Sequence, residues 1–311
     1  MTSVLVHLDF DFLGTDRMAD HFPGVRFVHV DPDGPVDPDL HGEVMVTRGT
    51  DSANFAEVLE RGVRWVHCTG HGVDEIPLDV VGDRTLTCAR GATAVPIAEW
   101  VVAMLLTAAK RLPGSWVDEP PRHWFLARLD TIEDATIALV GYGSINRAVA
   151  ARLAPFGCRI LAVRRSDAPI DDPGVEVVGD VATAVAEADH VVIGVPSTTE
   201  TENLVDADLL AACRTGTHLV NIARGPVVDQ SALRSALDSG QVGLASLDVC
   251  DPEPLPEGHW LYTHPGVRLS PHISWCSPTS LEQMGANFAA NLERWLEGRP
   301  LNDIVDHDTG Y

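Results

Sequence analysis

No stretch of this chain approaches the roughly 20 consecutive apolar residues that a membrane-spanning helix needs, so none is expected to cross a bilayer. The first residues, MTSVLVHLDFDFLG, have no basic cluster ahead of their apolar stretch and carry acids inside it. They read as a first strand rather than an export signal, and the expected location is cytoplasmic. Positive charge is also scarce: 22 Lys and Arg stand against 45 Asp and Glu, for a formal net charge of −23. Such a surface repels nucleic acid and anionic membranes at long range, and neither is expected as a partner. A small anionic substrate needs only a local cluster of donors and is not excluded. Paired cysteines are missing too. The six cysteines, at 68, 88, 158, 213, 250 and 276, stand singly with no CxxC spacing. That pattern supplies neither a zinc site nor a disulfide framework, and they are expected to be reduced thiols packed in the interior, with no metal role.

What is present is an alternation of strand-like and helix-like pieces in a 311-residue chain, long enough for two domains. VLVHLDF, RFVHVD, GEVMVTRG and VRWVHCTG are short β-rich runs, and NFAEVLERG between two of them has helical spacing. Residues 96–112, PIAEWVVAMLLTAAKRL, form an apolar helix that Pro113-Gly114 stops, and PGSWVDEPPRHW then breaks the pattern. A second series follows: TIALVGYGS, RILAVRRS, HVVIGVPS, HLVNIARG, GLASLDVC and VRLSPHIS, six strand-like segments interleaved with helical ones. A last helix, LEQMGANFAANLERWLEG, closes the chain and is expected to pack back on the first domain. The expected fold is α/β with two Rossmann-like domains. One is a doubly wound parallel-sheet cofactor domain over residues 97–283. The other is a smaller, flavodoxin-like substrate domain, discontinuous over 1–96 and 284–311.

ATIALVGYGSINRAVAARLAPFG is a strand, a glycine turn and an amphipathic helix, the context that gives a GxGxxG pattern meaning. Gly141 permits the tight turn, Gly143 lets the backbone approach a pyrophosphate, and the helix N-terminus offers free N–H groups. Tyr142, Ser144 and Ile145 complete the phosphate loop. The third glycine is absent: Asn146 stands there, which predicts either a helix set slightly off or an Asn146 side chain pointing along the surface. An acid that would accept from an adenosine ribose is missing as well. About 20 residues on, where NAD sites carry it, the chain reads Val163-Arg164-Arg165-Ser166, with no acid until Asp167. Two guanidiniums and a hydroxyl suit a 2′-phosphate, favouring NADP over NAD, with Arg164 the better placed of the two arginines.

Three further segments carry chemistry. HLVNIARGPVVDQSAL puts Arg224 after a strand, LASLDVCDPEPLPEGHWLY puts Asp248 and Glu253 at and beyond another, and VRLSPHISW puts His272 at the end of a third. C-terminal strand ends of an open parallel sheet converge on one crevice, so these side chains can meet. In this order behind a GxGxxG, with TGHGVD at 69–74 and IAEWVVAMLL, they resemble the D-isomer-specific 2-hydroxyacid dehydrogenase family over nearly the whole chain.

The resemblance implies hydride transfer between NADP(H) and a small 2-oxoacid/2-hydroxyacid pair. His272 is the candidate proton donor, since imidazole titrates near working pH. Glu253 would lie against the imidazole, favour its protonated form and fix its tautomer, and Arg224 offers a planar fork for the substrate carboxylate. The same resemblance gives the amides of His71 and Gly72 the substrate carboxylate, Asp248 the nicotinamide carboxamide, and Pro196 the adenosine half. Trp275 is either a wall of the substrate pocket or a domain-interface aromatic. Formate dehydrogenase, a relative, has an amide where this chain has Glu253. No cluster of bases beyond Arg48 and Arg90 is available in the first domain for a phosphorylated substrate, so glyoxylate or hydroxypyruvate is preferred. Family dimers imply a homodimer through IAEWVVAMLLTAAKRL and the Trp116–Trp124 segment. A second class, a dinucleotide-sensing scaffold without turnover like the C-terminal-binding corepressors, shares the tryptophan of SPHISWCS but lacks a disordered tail or peptide groove.

Overall fold

The computed structural model describes residues 1–9, 14–49, 52–166 and 169–311. Residues 10–13 of the first segment and Asp167 lie outside the described residues. The chain divides into two compact units, Met1–Thr93 with Ser277–Tyr311, and Ala94–Cys276.

The first unit holds β1 (Thr2–His7), β2 (Val25–His29), β3 (Val44–Thr47), β4 (Trp65–Cys68) and β5 (Thr85–Cys88) in the order β2-β1-β3-β4-β5, all parallel. Every residue of β3 and β4 is buried, Thr47 and His67 included, as in a sheet covered on both faces. The helix Ser280–Leu296 covers one face: Phe288 stacks on Trp65 with ring centroids 5.6 Å apart. Thr87 of β5 receives the Trp65 indole N–H at 2.8 Å and bonds His67 Nδ1 at 2.9 Å, so two large side chains are tied to one hydroxyl.

The second unit holds β6 (Thr136–Val140), β7 (Arg159–Val163), β8 (Val175–Val177), β9 (His190–Ile193), β10 (Thr217–Asn221), β11 (Val242–Leu247) and β12 (Val267–Leu269). Their order is β12-β11-β10-β9-β6-β7-β8, again all parallel. From β6 the chain runs outward to β7 and β8, then returns to β9 on the other side. That reversal is the topological switch point at which doubly wound sheets take their ligands. Asp180, Asp206 and Asp229 cap three helices of this unit by accepting backbone N–H groups at 2.8 Å.

Several expectations are corrected. A fifth strand, TLTC, exists in the first unit, and a seventh, VEV, in the second. The helix of 96–112 runs instead from Ala94 to Ala109. Pro96 lies within its first turn, where a missing N–H costs nothing. The division between units accordingly falls at 94 rather than 97, and at 277 rather than 284, ahead of the last helix. All six cysteines are free, but Cys276 is exposed, not interior. Among the described residues no helix is long and apolar enough to cross a membrane.

Candidate active site

At the switch point β6 leads into Gly141-Tyr142-Gly143 and the helix Ser144–Leu153. Gly141 has φ +84°, and a Cβ there would lie 2.7 Å from the Gly194 carbonyl oxygen, so only glycine fits. A Cβ on Gly143 would meet nothing within 4 Å; the space above this backbone is open. The helix behind it has Gly143 at its N-cap and no side-chain cap, unlike the three aspartate-capped helices of the same unit. An open cradle beside uncapped amides and a positive dipole end fits a pyrophosphate.

Asn146 does not point along the surface. It is 1% exposed. Its Nδ2 donates to the Gly141 carbonyl at 2.6 Å, and a Cβ on Gly194 would come within 2.7 Å of the same nitrogen. The room usually made by the third glycine is made here by Gly194, just beyond β9. Asn146 Oδ1 is buried without a partner among the described residues. Ile145 packs against the core beneath, and the Tyr142 hydroxyl donates to Asp172 at 3.0 Å. Burial, and then this hydrogen bond, push the Tyr142 phenol up to about 12.

Beyond β7, Arg164 is half-buried and its guanidinium donates to the Ser166 hydroxyl, whereas Arg165 is exposed and paired with Glu200 at 2.9 Å. Pro196 lies beyond β9, its carbonyl accepting from the Thr201 hydroxyl at 2.6 Å.

The ends of β10, β11 and β12 supply the acid–base groups. Arg224 follows β10 in an extended conformation and begins a turn at Gly225–Val227. Asn221 brackets this turn, accepting from Ala223 N–H at 3.0 Å and donating to the Arg224 carbonyl at 3.1 Å. A Cβ on Gly225 would lie 2.0 Å from the Cys250 carbonyl oxygen, so the Arg224 turn rests directly on the backbone of the loop that carries Glu253. In that loop Glu253 Oε1 accepts the Cys250 N–H at 2.9 Å, and Oε2 lies 2.8 Å from His272 Nδ1. Burial works to raise the Glu253 pKa, but the hydrogen bonds from His272 and the Cys250 amide, with the nearby charges of His272 and Arg224, outweigh it and leave it lowered. The carboxylate is therefore ionised, and the Nδ1 facing it carries a proton. His272 has φ +53°, a left-handed conformation uncommon for a non-glycine residue. Trp275 donates its indole N–H to the His272 carbonyl at 3.0 Å and packs against the core of its own unit.

Arg224, Asp248, Glu253, His272 and Trp275 thus lie together in the second unit. His71 and Gly72 belong to the first, in the loop that follows β4. There His71 Nδ1 accepts the Gly91 N–H at 3.2 Å, and the Cys68 thiol reaches the Gly72 carbonyl at 3.5 Å. Asn221, Gly194 and Ser270 were not singled out from the sequence. Asn221 had a usable signal, a polar residue directly after the apolar Leu219-Val220 and ahead of Arg224; the other two act across the fold and leave no local mark.

The sequence pattern described as D-isomer specific 2-hydroxyacid dehydrogenase, NAD binding domain, matches residues 102–274. The glyoxylate reductase of Thermofilum pendens is 35% identical over 271 residues, covering 84% of this chain and 73% of that protein. The mouse glyoxylate reductase/hydroxypyruvate reductase is 33% identical over 242 residues, covering 74% and 73%. Among solved structures, a D-isomer specific 2-hydroxyacid dehydrogenase from Xanthobacter autotrophicus Py2, in complex with NADPH and MES, is 25% identical. It superposes with a TM-score of 0.85, covering 100% of this chain and 99% of that one.

Proposed function

Because the chain belongs to the D-isomer specific 2-hydroxyacid dehydrogenase family, NAD(P)-dependent oxidoreductases acting on CH–OH groups, we propose that it reduces a small 2-oxoacid with NADPH, glyoxylate or hydroxypyruvate foremost. The observation that carries this reading is the His272–Glu253 pair at 2.8 Å beside Arg224.

Gly141 to Ile145 would hold the pyrophosphate, Arg164, Arg165 and Ser166 the 2′-phosphate, Pro196 the adenosine side and Asp248 the carboxamide. When bound, NADPH supplies the hydride that adds to the carbonyl carbon. Arg224 binds the substrate carboxylate in a two-pronged contact and draws electron density toward the carbonyl oxygen. His272 gives that oxygen a proton from Nε2, since Nδ1–H is committed to Glu253. Glu253 holds the ring in this tautomer and offsets the charge of the imidazolium. Trp275, through its indole bond to the His272 carbonyl, would steady the histidine loop.

A panel of 2-oxoacids assayed with NADPH and NADH tests the proposal. Turnover is expected for glyoxylate or hydroxypyruvate; tight cofactor binding with no oxidation of either nucleotide across the panel sinks it in favour of the sensing scaffold. Arg164→Asp is expected to lower the preference for NADPH over NADH by about 10- to 100-fold, the worth of a charge-assisted hydrogen bond. An unchanged ratio refutes the 2′-phosphate assignment.

A homodimer is part of the same reading. Trp116, Val117, Trp124, Phe125, Leu126 and Leu129 are all exposed, an apolar run that a second copy would cover. Sedimentation of the intact chain as a monomer excludes it. A cytoplasmic location agrees with six unpaired thiols.

A further inference from the structure

Asp248 follows β11 and is 1% exposed. Its Oδ1 accepts from the Ser270 hydroxyl and from Ile273 N–H at 2.9 Å, and its Oδ2 accepts from Ser274 N–H at 2.9 Å. Its own backbone carbonyl accepts His272 N–H at 2.9 Å. Three successive amides, those of His272, Ile273 and Ser274, therefore converge on one aspartate. Such convergence requires the chain to reverse locally, and the reversal is made at His272, whose left-handed φ persists only where the surroundings over-determine it.

We propose that Asp248 is a positioning residue for proton donation: its carboxylate holds the left-handed turn that aims the His272 imidazole at Glu253. The inference rests on the proton-donor reading of His272 given above. It adds to the carboxamide contact rather than replacing it. Oδ1 is saturated by two donors, while Oδ2 keeps one lone pair for an outside donor. A carboxamide contact alone accounts for none of the three bonds the Asp248 carboxylate makes within its own chain. Asparagine has the same shape but only one accepting end, so its NH2 group would confront an N–H or O–H donor and release part of the loop.

The test is Asp248→Asn, examined in two ways. In steady-state reduction, kcat is expected to fall on the order of 10²-fold, the cost of misplacing a catalytic group, and the pH profile of kcat to shift. KM for the cofactor should move far less. The 3-acetylpyridine analogue of the cofactor, which lacks the carboxamide NH2, should show the same kcat loss. The second readout needs no turnover: the ligand-free unmutated protein is expected to show a downfield proton signal from His272 Nδ1–H held by Glu253, and that signal should vanish in the variant. A raised cofactor KM with kcat, pH profile and imidazole signal unaltered overturns the proposal. If the unmutated protein reduces no 2-oxoacid, the functional reading fails, and the imidazole signal alone still decides the role of Asp248. Ser270→Ala removes one donor and leaves every backbone partner, which guards against misfolding of the first variant. A smaller fall in kcat with a broadened signal is expected, and a sharp signal with unchanged kcat counts against the proposal.

Discussion

Replacing His272 by asparagine is expected to lower kcat for 2-oxoacid reduction by about 10²- to 10⁴-fold, the contribution of a positioned general acid. Asparagine is chosen because residue 272 sits at φ +53°, a conformation that asparagine tolerates and that alanine does not. The loop should therefore keep its course, and NADPH affinity, read by fluorescence titration, should be unchanged. The new amide can still donate to Glu253 but has no proton acidic enough to give. Glu253 itself should respond: with the imidazole gone, burial is less opposed, and its carboxyl should protonate at higher pH than in the unmutated protein. A variant that retains kcat within about threefold, far above the loss expected of a missing general acid, would remove His272 from the chemistry.

The second large effect is on stability in acid. His67 is fully buried, and burial pushes it down to about 3 from an ordinary 6.5. Its Nε2 has no partner among the described residues, and its ring lies 5.2 Å from that of Phe288. His218 is likewise pushed down to about 3, by burial and then by His190, whose Nδ1 lies 3.1 Å from its own. His7 and His190 are lowered by burial too. A histidine whose folded pKa is depressed binds its proton more readily when unfolded. Its contribution is thus complete above pH 6.5 and is withdrawn as pH falls toward about 3. Each such group withdraws about 1.4 kcal/mol per pH unit within that window. His67 and His218 should therefore each cost its own unit roughly 3 kcal/mol over two pH units, a large part of the stability of an ordinary domain. Urea midpoints measured from pH 7.5 to 4.5 should fall steeply. His67→Leu should make the acid limb of the first unit shallower, with His7 still contributing, and leave that of the second, where His218 resides. A stability flat between pH 7 and 5 would show that neither ring is held neutral.

Where sequence reasoning succeeded and where it failed both have physical causes. HVVI and THLVN are buried at every position, and their apolar stretches, Val191–Ile193 and Leu219-Val220, mark strands covered on both faces. TLTC and VEV escaped notice because threonine and glutamate dilute that signal, and because three or four residues are too few to show a period. The set Arg224, Glu253 and His272 stood out by residue type and strand-end placement, and the fold brings those three into one unit. The supporting residues did not stand out, because their effect is a distance between segments far apart in the chain. Asp248 reads as a single acid in sequence. Its three donors come from residues 270–274, and only folding brings them to it. Gly225 was not singled out either, because its constraint is the Cys250 carbonyl against which it lies.

The partnership of Asn146 with Gly194 bears on how such chains change over time. The glycine rule for this fold is a rule about volume at one helix–strand junction, and the small residue can sit on either side of it. Here the bulk stands on the helix and the vacancy at the strand exit, so a change at either position constrains the other. A larger residue at 194 is admissible only after 146 has shrunk, and a glycine at 146 alone would open a hollow beneath the phosphate turn. A pattern that demands three glycines in a row of six would pass over this protein, while one that sums side-chain size across positions 146 and 194 would not.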